Sequence, residues 1–137
     1  MLILDTGPVL ALLDADDPDH ARCVDMVEDV REDLAVPGTI LVEVDYWVCK
    51  LLGRKAWTTF VDDLVSGAYR LVQLDETDLR RAAELELAYD SLDLGLVDAS
   101  VIALCERFGE TKVATLDRRD FSVVLPRHCD TLRLLPE

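Results

Sequence analysis

Short apolar runs alternating with amphipathic segments leave this chain few folds to adopt. The runs "LIL" (Leu2 to Leu4), "LAVPG", "YRLVQL", "KVATL" and "TLRLL" are strand-length and too short for helices. Between them lie longer segments with helical spacing. "DPDHARCVDMVEDVRED" places Ala21, Val24, Val27 and Val30 on one face, and "RKAWTTFVDDLVSG" does the same with Trp57, Phe60, Val61 and Leu64. Thr39 to Leu52, closed by Gly53, reads as a helix despite its β-branched residues. "ETDLRRAAELELAYD" and "GLVDASVIALCERFG" are further helices, and Gly7-Pro8 marks the entry to a first one over Pro8 to Leu13. Strand and helix in strict turn predict an α/β sandwich, a mainly parallel central sheet flanked by helices, with "TLRLL" as an edge strand.

Residues 1–137 make one domain, long enough to bury a core without covalent staples. Half of them are hydrophobic, which excludes a disordered chain, and no internal repeat or linker interrupts them. Cys23, Cys49, Cys105 and Cys129 are widely spaced and form no metal-binding motif, so they read as reduced, mostly buried thiols of a cytoplasmic protein. The apolar start lacks a basic leader region and is broken at Asp5, unlike a signal peptide. No uncharged stretch is long enough to span a bilayer, so no membrane association is expected.

The acids raise the functional question. A formal net charge of -14 argues against a broad basic face for nucleic acid. Yet Asp5 closes the first strand and Asp117 follows "KVATL", at the carboxyl ends where parallel sheets place their ligands. Glu43 comes early in its helix, and Asp98 falls in the first turn of another. Taken singly, each has an ordinary explanation as a helix cap, a turn residue or a complement to the helix dipole. Four acids at four element ends of one small sheet are harder to explain that way. Clustered carboxylates repel, and a divalent cation relieves that repulsion. Oxygen ligands without histidine or cysteine select Mg²⁺ or Mn²⁺ over zinc. Such ions activate water for phosphodiester cleavage, which answers the charge objection locally.

These same stretches carry a resemblance. "ILDTGPVLALLD", "PGTILVEVDYWV", "LGLVDASVIALCERFG" and "VATLDRRDFSVV" together resemble the PIN-domain ribonucleases, and among them the VapC-type toxins of bacterial toxin–antitoxin modules. The resemblance implies a PIN-like three-layer sandwich and a metal-dependent endoribonuclease. Its catalytic, metal-binding acids correspond to Asp5, Glu43, Asp98 and Asp117. It further implies an RNA substrate, a homodimer and a cognate antitoxin seated in a groove of the amino-terminal helices, near the aromatic residues Tyr46, Trp47 and Trp57.

Three further residues are candidates for support. Thr6 matches the family's hydroxyl after the first acid, or else caps a helix. Asp93 lies in the approach to Asp98, as an outer acid or a solvated loop residue. Asp120 either joins the rim of the cluster or caps a helix start. Arg118 and Arg119 contact RNA phosphates or balance local charge, while His20 and His128 read as surface histidines. Other readings are a catalytically inactive PIN-fold binding module and another α/β phosphoryl-handling domain. The first would require a missing acid, and none is missing. For the second, "LDTG" supplies neither the paired acids of a receiver nor the Asp-x-Asp of a phosphatase. An aspartic protease would need a second Asp-Thr-Gly loop and an all-β scaffold.

Overall fold

Five short strands, all parallel, run through the centre of the computed structural model, which describes residues 1–137. They are β1 (Leu2–Ile3), β2 (Leu34–Pro37), β3 (Arg70–Val72), β4 (Lys112–Ala114) and β5 (Arg133–Leu135). β1 pairs with β2 in the register Leu2–Leu34, and β2 pairs with β3. β4 pairs with β5, and a bridge from Leu4 to Ala114 joins the two parts into the order β3-β2-β1-β4-β5. The sheet is therefore wholly parallel, and β5 is the edge that "TLRLL" was expected to supply.

That order has a consequence for ligands. The chain steps outward from β1 to β2 to β3, then returns to the far side of β1 to lay down β4. The seam between β1 and β4 is the topological switch point, where crossovers leave in opposite directions and open a crevice at the strand carboxyl ends. Leu2, Ile3 and Leu4 on the central strand are at most 1% exposed. Both faces of this strand are covered, as parallel sheets require, and each such side chain contributes about 1.5–3 kcal/mol on burial.

The helices are α1 (Thr6–Leu13), α2 (His20–Val30), α3 (Leu41–Leu51), α4 (Arg54–Ser66), α5 (Glu76–Ala88), α6 (Leu96–Phe108) and the short α7 (Arg118–Phe121). A 3₁₀ turn over Gly38–Ile40 leads directly into α3. Along α6, every residue from Ala99 to Cys105 is buried, so this helix is a core element and not an amphipathic cover. It ends at Gly109, whose φ of 68° lets its N–H reach the Cys105 and Glu106 carbonyls. Arg81 of α5 clamps Glu106 of α6 with two hydrogen bonds of 2.8 and 2.9 Å, fixing that helix pair.

Some expectations needed correction. Of the aromatic residues placed near a partner groove, Tyr46 and Trp47 are 56% and 41% exposed, but Trp57 packs against the core beside Phe60. His128 is half-buried and not a surface residue, because its Nε2 faces the Glu110 carbonyl at 2.7 Å. His20 is likewise held, with Nδ1 2.7 Å from the Ala11 carbonyl. All four cysteines are free, with Cys23 and Cys105 buried and Cys49 and Cys129 partly exposed. No helix is long and apolar enough to cross a membrane.

Candidate active site

Asp5 stands where β1 ends and α1 begins. Its backbone is extended, its N–H donates to the Ala114 carbonyl, and its carboxylate caps α1 by accepting from the Thr6 N–H at 2.8 Å. The other carboxylate oxygen accepts from the Thr115 hydroxyl at 2.9 Å across the β1–β4 seam. With 6% of its surface exposed, Asp5 is nearly dry. Burial pushes its pKa up, the charges of Glu43 and Asp117 add to that, and the bonds from Thr6 and Thr115 oppose it.

Thr6 follows directly as the first residue of α1 and is not its cap. Its hydroxyl donates to Glu43 Oε2 at 2.8 Å, tying the start of α1 to the first turn of α3. Glu43 itself is exposed, and Asp98 sits in the first turn of α6, partly buried. Asp117 caps α7, accepting from the Arg119 and Asp120 backbone N–H groups. Carboxylate oxygens of Asp98, Asp117 and Asp120 lie within 4.8 Å of one another.

The electrostatics show that these groups share one field. Burial pushes the Asp98 pKa up to about 7, with the charges of Asp5, Asp117, Asp120 and Glu43 adding to it in that order. A carboxyl in such surroundings holds its proton near neutrality unless a cation is supplied. An all-carboxylate, all-oxygen donor set of this kind fits a hard divalent ion and offers nothing that zinc prefers.

Of the four acids read from the sequence, Asp98 and Asp117 lie together, with Asp120 as the third member of the tight group and not merely at its rim. Asp5 and Glu43 stand outside that group and bear on Asp98 through their charges. Asp93 is placed differently. It is exposed, in a left-handed conformation after a 3₁₀ turn over Asp90–Leu92, and it is absent from the charges that weigh most on Asp98. Arg119 is exposed beside the cluster, while Arg118 turns away to the Pro136 carbonyl. Sequence reading missed Thr115, which is 1% exposed. Its hydroxyl accepts from the Asp117 N–H at 3.1 Å while donating to Asp5, so one side chain joins two of the acids. The signal was a polar residue at the end of a buried strand, two positions before an acid.

Comparison with known proteins agrees with this geometry. The PIN domain family model matches residues 2–124. Ribonuclease VapC26 of Mycobacterium tuberculosis is 31% identical over 125 residues, covering 91% of this chain and 93% of that protein. Among solved structures, Mycobacterium tuberculosis VapC20, a sarcin-ricin loop cleaving toxin, superposes with a TM-score of 0.75 at 18% identity, over 82% of this chain and 87% of that one. VapBC2 from Rickettsia felis, bound to a DNA fragment from its promoter, gives 0.68 at 15% identity over 97% and 96%. By the extent of the family match and the identity to VapC26, this chain belongs to the PIN-domain family, on its VapC branch.

Proposed function

We propose that this protein is a metal-dependent endoribonuclease, the toxin of a toxin–antitoxin module, with Asp5, Glu43, Asp98 and Asp117 as its catalytic, cation-binding acids. The observation that carries this reading is the grouping of Asp98, Asp117 and Asp120 within 4.8 Å, where burial first, and then the charges of Asp5, Asp117, Asp120 and Glu43, push the Asp98 pKa up to about 7. These acids would hold Mg²⁺, or alternatively Mn²⁺, whose charge would make a bound water more acidic and offset negative charge on the leaving oxygen.

The chain's own residues do the positioning. Asp5, pinned through both oxygens, and Asp117, pinned by two backbone N–H groups, keep their carboxylates aimed into the crevice. Thr6 holds Glu43 at its opposite wall. Arg119, exposed at the start of α7, is placed to meet an RNA phosphate. The two histidines are engaged elsewhere, at the Ala11 and Glu110 carbonyls, and attack by a metal-activated water would leave a 5′-phosphate and a 3′-hydroxyl.

The exposed apolar residues of α3, Val42, Tyr46, Trp47 and Leu51, support an antitoxin and a second copy as protein partners of the amino-terminal half. Four free thiols and the relatives' kind support a cytoplasmic setting. The test is to incubate the purified chain with RNA in Mg²⁺, in Mn²⁺ and in chelator, and to analyse the ends. Cleavage only with metal, leaving 5′-phosphates, supports the reading; 2′,3′-cyclic phosphates would overturn it.

A further inference from the structure

Beneath the acids, two hydroxyls that the catalytic reading does not use meet between two acid-bearing elements. Thr39, in the 3₁₀ turn leading into α3, lies 2.6 Å from Ser100 of α6, hydroxyl to hydroxyl. Ser100 is completely buried, and its hydroxyl donates to the Val97 carbonyl at 2.7 Å. A serine has one proton to give. The Thr39 hydroxyl must therefore donate to Ser100, and the pair forms a directed chain from the turn, through Ser100, to Val97.

Its position sets what it can control. Thr39 is one helical turn before Glu43, and Val97 and Ser100 flank Asp98 on α6. Elsewhere the walls of the crevice are tied by Thr6 to Glu43 and by Thr115 to Asp5. Neither of those bonds reaches α6. The Thr39–Ser100 contact is the side-chain hydrogen bond that joins the Glu43-bearing segment to the Asp98-bearing helix. Apolar packing holds two helices together but tolerates sliding, whereas an O–H···O bond of this length fixes a register.

We infer that Thr39 and Ser100 are positioning residues, a latch that sets the separation of Glu43 from Asp98 and so the width of the cation site. The inference rests on the reading of those acids as ligands. Misplacement of a ligand by about 1 Å through a remote change costs on the order of 10²-fold in rate, and loss of an outer hydrogen-bond partner about 10-fold or more in metal affinity. The latch acts on cation binding and turnover, not on substrate capture.

The experiment compares Thr39→Val, Ser100→Ala, the double variant and Thr39→Ser in the full chain, with Asp98→Asn as control. Calorimetric titration with Mn²⁺ alone, thermal unfolding without metal, and kcat and KM on an RNA oligonucleotide are read for each. The latch predicts about tenfold weaker Mn²⁺ binding and lower kcat with KM little changed in both single variants, a double variant no worse than either, and recovery in Thr39→Ser. Should Thr39→Val fail to fold, Ser100→Ala, which leaves Thr39 free to turn to solvent, carries the comparison. If both singles bind Mn²⁺ like the parent while only their unfolding temperature falls, the pair is structural and the inference is overturned. If Asp98→Asn also binds Mn²⁺ like the parent, the reading of the acids is what fails, and the latch falls with it.

Discussion

Thr115 and Asp5 are bonded hydroxyl to carboxylate at 2.9 Å across the one seam where the sheet reverses its winding. Two strands distant in sequence thus meet through a side chain whose other partner is the Asp117 N–H. Thr115→Val keeps the shape and deletes both bonds. We expect stability to fall by about 1–3 kcal/mol, since the nearly buried Asp5 carboxylate loses a donor, and Mg²⁺ affinity to fall about tenfold. Thr115→Ser should restore both. Urea titrations with and without Mg²⁺ check this, and a valine variant whose metal affinity is unchanged would remove Thr115 from the site.

Asp98 governs the response to pH. Its folded pKa of about 7 lies above the 3.8 of an unperturbed carboxyl, so between those values the native state keeps a proton that the unfolded chain has lost. The metal-free protein should therefore lose stability as pH rises from about 4 to about 7 and level off above, with Asp5 acting in the same direction. Mg²⁺ should flatten or reverse the decline. Denaturation curves at half-unit steps of pH, with and without the ion, measure it directly.

Asp98→Asn removes the charge and nearly conserves the shape. Cleavage should drop by about 10²–10³-fold or more, and the metal-free variant should be the more stable form near pH 7, because a repelled carboxylate has gone. Circular dichroism on heating, paired with an RNA cleavage assay, separates loss of function from loss of fold. Equal stabilisation of variant and parent by Mg²⁺ would show that Asp98 is no ligand.

Asp120 and Asp93 offer a matched comparison. Each is a near sequence neighbour of a principal acid, Asp93 of Asp98 and Asp120 of Asp117, but only Asp120 has an oxygen within 4.8 Å of Asp98 and Asp117. Asp120→Asn should weaken Mn²⁺ binding about tenfold, while Asp93→Asn leaves it unchanged. The reverse ranking in a calorimetric titration would contradict the placement of α7.

Trp47 should matter to a partner and little to the fold. It is 41% exposed, edge-on to Tyr46 at 5.1 Å, with the Lys50 ammonium 5.5 Å from both ring centres. Trp47→Ala should leave the unfolding temperature nearly constant and weaken the complex with the cognate antitoxin by about 2 kcal/mol or more. Surface-immobilised antitoxin titrated with both forms gives the answer.

The sequence disclosed the parts of this molecule that follow from periodicity. Strand runs, the long helices and the edge position of "TLRLL" were legible because burial on one or two faces leaves a repeating trace. Asp5 and Asp117 were legible for a related reason, since each interrupts an apolar run at its end. Asp120 was underweighted because α7 is a single turn, too short to show a period, and only the folded turn brings its carboxylate beside Asp98. Thr39 and Ser100 meet across 61 positions, and Thr115 reaches Asp5 across 110, so nothing local announced either contact. The core packing of Trp57 escaped the reading because helical spacing marks a face without saying what covers it.

Asp5 and Asp117 each begin a helix as well as facing the crevice. Their orientation is thus secured by peptide groups, which are present at every ion concentration. Amide hydrogen exchange at the starts of α1 and α7 should then hardly change when magnesium is withdrawn. A catalyst built this way stays poised while idle, and diluting the ion merely pauses it. Lasting restraint has to come from occlusion, by something shaped to sit over carboxylates that will not move aside.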